Sequence, residues 1–171
     1  MFHIEALHEL EQEDFYQAIL EFAQNLMMGE ENAIANMANI ASLLYHTMKE
    51  INWVGFYLYD GKELVLGPFH GKPACIRIPL GKGVCGTAAA SKKVQRIVNV
   101  HDFEGHIACD AASQSEIVIP MVFEGKLIGV LDIDSPIIGR FLEKDEEHLS
   151  QLTKKIINQC KWEGIYGIST Y

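Results

Sequence analysis

Residues 116–134 read EIVIPMVFEGKLIGVLDID, two alternating apolar stretches joined at Glu124-Gly125-Lys126. A period of two is typical of β-strands with one buried face, and the central glycine favours a tight turn. A three-residue turn sets Glu116 opposite Asp134, whereas a two-residue turn sets it opposite Ile133 on the other face. We predict the three-residue turn. The same register would place four aliphatic side chains together on one face: Val118, Val122, Ile128 and Val130.

Two aspartates alternate with aliphatic residues at the end of this hairpin. Asp132 and Asp134 point to one face of the strand, while Leu131 and Ile133 point into the core. Like charges roughly 7 Å apart on one strand are unfavourable unless a cation or a hydrogen-bond donor lies between them. The pattern indicates either a solvated strand face or a site for a ligand ammonium or a polar substrate, and Glu116 joins it in the predicted register.

A second hairpin is predicted upstream of the first. Residues 53–59 alternate, Asp60-Gly61 is a turn signal, and residues 63–69 supply the returning strand. Trp53 and Tyr57 share one face of the first strand. Their rings suit either the core or a cradle for the apolar body of a small ligand.

Helical periodicity appears at both ends of the chain. We predict N-terminal helices over about 14–48, with Asp14 as a cap, a sheet core over about 52–134, and a C-terminal helix over about 143–161. Helices at both ends of an antiparallel meander indicate an α+β fold, with the helices packed on one face of the sheet. No linker interrupts residues 1–171, so a single domain is expected.

Composition excludes several classes of function. The chain has 171 residues, a formal net charge of −9 and scattered basic residues, so we expect no nucleic-acid partner, since phosphate binding needs a basic surface. No apolar run approaches the roughly 18 residues of a membrane span. The acidic start of the chain does not resemble a signal peptide. We therefore expect a cytoplasmic protein without membrane contact.

Three of the four cysteines suggest redox chemistry. Cys75, Cys85 and Cys109 are each bordered by glycine, polar or turn-forming residues, whereas Cys160 lies on the apolar stripe of the last helix. Thiols in reach of one pocket allow attack by one and resolution by another, in a compartment that keeps them reduced.

Two other motifs are weaker. Residues 81–86, GKGVCG, match a dinucleotide fingerprint, but no alternating βαβ units follow. The glycines would instead leave backbone amides free near Cys85 and favour its thiolate. A zinc site combining the three cysteines with His101, His106 or Asp110 lacks the usual spacing, so we expect no metal site and no bound cofactor.

Five stretches carry a resemblance to a known family: residues 52–57 (NWVGFY), 81–86 (GKGVCG), 106–110 (HIACD), 116–120 (EIVIP) and 131–135 (LDIDS). Over them the chain resembles the free methionine-(R)-sulfoxide reductases, enzymes built on a GAF domain. Most GAF domains lack the three cysteines, which makes that set the most specific part of the resemblance.

The resemblance implies a GAF-like antiparallel sheet and a division of roles. Cys109 matches the nucleophile of the family, and either Cys75 or Cys85 matches the thiol that resolves it. The residues that match the pocket for the free amino acid are Trp53, Tyr57, Glu116, Asp132 and Asp134.

The expected reaction reduces free methionine-(R)-sulfoxide to methionine. Cys109 attacks the sulfoxide sulfur, Glu116 or Asp134 supplies the proton that the oxygen needs, and Asp132 pairs with the substrate ammonium. The sulfenic acid left on Cys109 condenses with Cys75 or Cys85 to a disulfide. An external dithiol of thioredoxin type then reduces it, as expected of an enzyme acting in oxidative stress.

Two further possibilities remain open. The domain could be a non-catalytic GAF sensor that binds a small ligand and uses its cysteines as a redox switch. It could also be a structural domain that assembles through its N-terminal helices. The family resemblance suggests a homodimer, which no residue pattern demonstrates.

Overall fold

The structure, a computed structural model, describes residues 7, 10–105 and 111–165. The elements follow in the order α1 (Gln12–Met27), α2 (Ala33–Thr47), β1 (Trp53–Tyr59), β2 (Glu63–Gly71), β3 (Arg77–Pro79), α3 (Gly83–Ser91), β4 (Gln95–Ile97), β5 (Ser115–Phe123), β6 (Lys126–Ser135) and α4 (Glu143–Gln159). The strands form one antiparallel sheet in the order β3-β2-β1-β6-β5-β4. None of the helices described is long and apolar enough to cross a membrane.

The predicted cap of the first helix is wrong. Glu11 occupies the N-cap position of α1, and Asp14 lies inside the first turn. An acid at that place still favours the helix, because it faces the positive end of the helix dipole. α2 has a true side-chain cap, since the Asn32 side chain accepts a hydrogen bond of 3.0 Å from the Ala35 amide.

The predicted register of the β5–β6 hairpin is confirmed, because Glu116 pairs with Asp134. The turn that produces it is different from the prediction. Phe123 pairs with Lys126, so only Glu124 and Gly125 form the turn, with φ angles of 49° and 77°. A two-residue turn with two positive φ angles matches the twist of antiparallel strands.

A β-bulge restores the register. Met121 pairs with Gly129 and Val122 with Leu127, which leaves Ile128 as an extra residue on β6. The extra residue changes face: Ile128 packs in the larger core, whereas Val130 packs on the other side of the sheet. The predicted grouping of Ile128 with Val118 and Val130 is therefore wrong.

The two faces of the sheet have different partners. α1, α2 and α4 pack on one face over the larger core, which takes alternate residues of β1 such as Phe56 and of β6 such as Leu131. This confirms the expected terminal helices on one face. α3 packs against β5 and β6 on the other face over a smaller core that includes Tyr57 and Val118. The acidic residues of β5 and β6 point to this second face.

Gly129 lies where β1 and β6 come closest together. A Cβ added at Gly129 would lie 2.1 Å from the carbonyl oxygen of Tyr57. We expect Gly129→Ala to lower the free energy of unfolding by roughly 3 kcal/mol, because two central strands must separate to admit the methyl group. Urea unfolding measures the change.

Gly125→Asn is the matched control. Gly125 has a φ of 77° and no atom within 4 Å of an added Cβ. Asparagine tolerates this left-handed conformation, so the control should change stability by less than about 1 kcal/mol. Equal destabilisation by both substitutions would contradict the prediction.

Candidate active site

One row of side chains crosses three adjacent strands. Trp53 of β1 pairs with Asp134 of β6, which pairs with Glu116 of β5. Asp132 lies two residues along β6 on the same face, between Gly55 and Val118. The alternation of each strand, combined with the register, therefore brings three carboxyl groups and one indole to one place.

These side chains line a cavity closed on one side by α3. Its empty volume is about 530 Å³, including the part that opens to solvent. The structure places six of the eight predicted site residues in its wall: Trp53, Tyr57, Cys85, Glu116, Asp132 and Asp134.

Trp53 and Tyr57 line the cavity, and their polar groups also bind the backbone of residues 72–75. The Trp53 ring stacks between Tyr57 and Phe69, with ring centroids 5.9 and 5.4 Å away. Its indole N–H donates a hydrogen bond of 3.0 Å to the carbonyl of Lys72, and the Tyr57 hydroxyl donates one of 3.0 Å to the carbonyl of Cys75. Trp53 and Tyr57 therefore both pack in the smaller core and line the cavity.

The carboxyl groups are buried together. Glu116 and Asp132 are each 6% exposed. Burial raises the pKa of both side chains, and the charges of Asp132 and Asp134 raise the pKa of Glu116 further. Low-dielectric surroundings disfavour two adjacent charges, so the Glu116 side chain holds a proton more readily than an ordinary glutamate.

Cys85 faces these acids from α3. Its Sγ lies 3.9 Å from Oε1 of Glu116. Burial and the nearby carboxylates raise the pKa of this thiol well above its usual value, so the expectation that the glycine-rich turn favours the Cys85 thiolate is wrong. Burial, together with the charges of the three nearby acids, outweighs the few backbone amides at the start of α3.

The glycines have a packing role instead. A Cβ at Gly86 would lie 2.3 Å from the carbonyl oxygen of Pro79. The Gly81 amide donates a hydrogen bond of 2.7 Å to the carbonyl of Gly86. The glycine-rich segment therefore lets α3 pack directly on the end of β3, which places Cys85 over the cavity.

The cysteines differ in state. Cys75 is disulfide-bonded, whereas Cys85 and Cys160 are free thiols. Cys160 accepts a hydrogen bond of 3.5 Å from the Asn36 side chain in the larger core, far from the cavity in the fold. Cys109, the predicted nucleophile, lies outside the described residues, as do His106 and Asp110.

Sequence reasoning missed polar residues at the same cavity. Lys72, Lys82 and Ser113 contribute to its wall. Lys82 stands between the two first glycines of the GKGVCG segment, a position where a positive charge at a pocket rim could have been expected. Nothing in the pattern around Ser113 marks it. Carboxyl and lysine side chains in the wall of one cavity suit a ligand that carries charges of both signs.

Known proteins share this architecture. Residues 13–159 match the GAF domain family. The chain is 54% identical to the free methionine-R-sulfoxide reductase of Escherichia coli over 84% of its length and 87% of the relative. It is 41% identical to the free methionine-R-sulfoxide reductase of Saccharomyces cerevisiae, over 92% of each chain.

A solved structure agrees with these sequence relatives. It is that of the free methionine-R-sulfoxide reductase from Neisseria meningitidis in complex with its substrate, with a TM-score of 0.85 and 39% identity over 88% of this chain and 90% of that one. Identity at this level over nearly the whole length of each relative shows more than a shared fold. The chain is therefore a member of the free methionine-R-sulfoxide reductases, oxidoreductases built on a GAF domain.

Proposed function

We propose that this protein reduces free methionine-(R)-sulfoxide to methionine with a cysteine nucleophile. The observation that carries the proposal is the cluster of three carboxyl groups, Glu116, Asp132 and Asp134, that lines one cavity together with Cys85. A cluster of this kind suits a substrate with a free ammonium group and a reaction that consumes a proton.

Recognition of the substrate follows from the charges in the cavity. Asp132 pairs with the ammonium, since its Oδ1 is buried and has no hydrogen-bond partner among the residues described. Lys82 at the rim complements the substrate carboxylate. A methionine residue within a peptide has neither charge, so the site discriminates against it. Trp53 and Tyr57 contact the methyl-thioether end.

The chemical step transfers the sulfoxide oxygen to a cysteine. The Cys109 thiolate attacks the sulfoxide sulfur while a proton is donated to the sulfoxide oxygen. The sulfoxide is thereby reduced by two electrons to methionine, and Cys109 is oxidised by two electrons to a sulfenic acid that carries the oxygen. We assign the proton to Glu116, because it is more buried than the partly buried Asp134 and its pKa is raised by both burial and two neighbouring acids.

Resolution is assigned to Cys75. The sulfenic acid of Cys109 condenses with the Cys75 thiol, forming a disulfide and releasing the oxygen as water. The disulfide-bonded state of Cys75 supports this choice, as does the free, buried thiol of Cys85 with its raised pKa. A dithiol of thioredoxin type in the cytoplasm then reduces the disulfide.

A coupled assay tests the function. Thioredoxin, its reductase and NADPH are mixed with the protein and either free methionine-(R)-sulfoxide or its N-acetylated form. We expect NADPH loss with the free amino acid and at least about 100-fold lower kcat/KM with the acetylated form, since a buried acid then lacks its cation. Binding of the free amino acid without turnover would contradict the proposal and favour the sensor.

Cys75→Ser separates the two halves of the reaction. We expect this variant to release close to one methionine per protein in a single turnover, but to lose thioredoxin-coupled turnover by at least about 10-fold, because its sulfenic acid has no resolving thiol. Cys85→Ser is the matched control and should still form the disulfide. Quenched-flow product analysis and mass spectrometry of the oxidised peptides measure both. If Cys85→Ser prevents the disulfide and Cys75→Ser does not, the assignment is wrong.

A further inference from the structure

Three buried side chains from three elements converge at the floor of the cavity. Cys85 comes from α3, Glu116 from β5 and Asp132 from β6. One ligand atom of each, a sulfur and two carboxylate oxygens, lies within 4.8 Å of the others. This is a compact set of donors with no positive charge among them.

One of these donors lacks a partner. Asp132 is 6% exposed, and its Oδ1 makes no hydrogen bond within the part of the chain that the structure describes. A buried carboxylate oxygen without a partner is unfavourable. Because Asp132 lines the cavity, that oxygen is available to a cation that enters it.

The donor set favours one class of cation. Zinc binds cysteine sulfur at about 2.3 Å and carboxylate oxygen at about 2.0–2.2 Å, so the ligand atoms of a tetrahedral zinc ion lie roughly 3.5 Å apart. The distance of 3.9 Å from Cys85 Sγ to Glu116 Oε1 is close to this value. A thiolate ligand disfavours magnesium and calcium, which prefer oxygen alone.

We propose that Cys85, Glu116 and Asp132 form a binding site for Zn²⁺, with the fourth position open to the cavity. The zinc displaces the protons of the thiol and of the acids on binding. The ion occupies the place where a substrate ammonium would pair with Asp132, so zinc and substrate exclude each other. The site itself does not depend on the proposed reductase activity, because it is defined by donor atoms alone.

The sequence conceals this site, because its ligands are far apart along the chain and do not have the usual spacing of zinc ligands. The compact set of donor atoms does not include Cys75, which is disulfide-bonded in the structure, whereas Cys85 is a free thiol.

Cobalt titration tests the proposal on the full-length reduced protein. Co²⁺ substitutes for Zn²⁺ and gives a thiolate-to-cobalt charge-transfer absorption that reports a bound cysteine directly. We expect one equivalent of Co²⁺ to produce this absorption, one equivalent of Zn²⁺ to abolish it, and Cys85→Ser to lack it. We expect Asp132→Asn to weaken cobalt binding by at least about 10-fold, since the loss of an outer-shell partner alone commonly costs that much.

The control variant removes the thiols of Cys75 and Cys109 and keeps that of Cys85. The double substitution Cys75→Ser, Cys109→Ser should keep the absorption with unchanged cobalt affinity. Loss of the absorption in this double variant, or its persistence in Cys85→Ser, would overturn the proposal. Asp132→Asn retains every thiol, so unchanged affinity there would also overturn it, whatever the stability of Cys85→Ser.

Discussion

Replacing Cys109 by serine is expected to lower turnover of free methionine-(R)-sulfoxide by at least about 10³-fold. Serine is nearly isosteric but its hydroxyl does not accept an oxygen atom to form the sulfenic acid that the proposed reaction requires. Loss of a nucleophile commonly removes almost all catalysis beyond binding. The coupled assay measures the steady state, and a single-turnover assay measures methionine release.

The yield of methionine in a single turnover distinguishes Cys109→Ser from Cys75→Ser. Cys109→Ser should release no methionine even in a single turnover, while it still binds the substrate. Cys160→Ser is the control, because Cys160 lies in the larger core away from the cavity. It should keep both activities. A single turnover of normal yield by Cys109→Ser would disprove the assignment of the nucleophile.

Glu116→Gln is expected to lower kcat by about 10²- to 10⁴-fold, the usual contribution of a general acid. Glutamine keeps the shape of the buried side chain and removes the proton that the sulfoxide oxygen needs. The KM should change less than kcat, because Asp132 still pairs with the ammonium. Steady-state kinetics with saturating thioredoxin separates the two constants.

The free energy of unfolding of Glu116→Gln shows whether its loss of activity is chemical or structural. Glu116 is buried beside Asp132 and Asp134, which raise its pKa. A neutral amide avoids the charge that burial disfavours, so the free energy of unfolding should stay the same or rise slightly. Glu147→Gln on the exposed face of α4 is the control. If Asp134→Asn loses kcat and Glu116→Gln keeps it, the donor is Asp134.

The hairpin of residues 116–134 shows which structural features the sequence predicts and which it does not. Alternation predicted the two strands, and the assumed three-residue turn set Glu116 opposite Asp134, the pairing that the structure shows. The same pattern predicted the wrong turn and the wrong face for Ile128. A bulge adds one residue to one strand, and its place depends on the twist and pairing of both strands rather than on their composition.

By itself the sequence determined the sheet, its two faces and the thiols and acids available, because alternation and turn residues act over a few positions. Only the tertiary structure decided their environment. It buried Cys85 among three carboxyl groups, which reversed the expected shift of its pKa. It also brought Lys82 and Ser113 to the same cavity. Electrostatics at a buried site depends on neighbours from distant parts of the chain, and those neighbours exist only after the fold has formed.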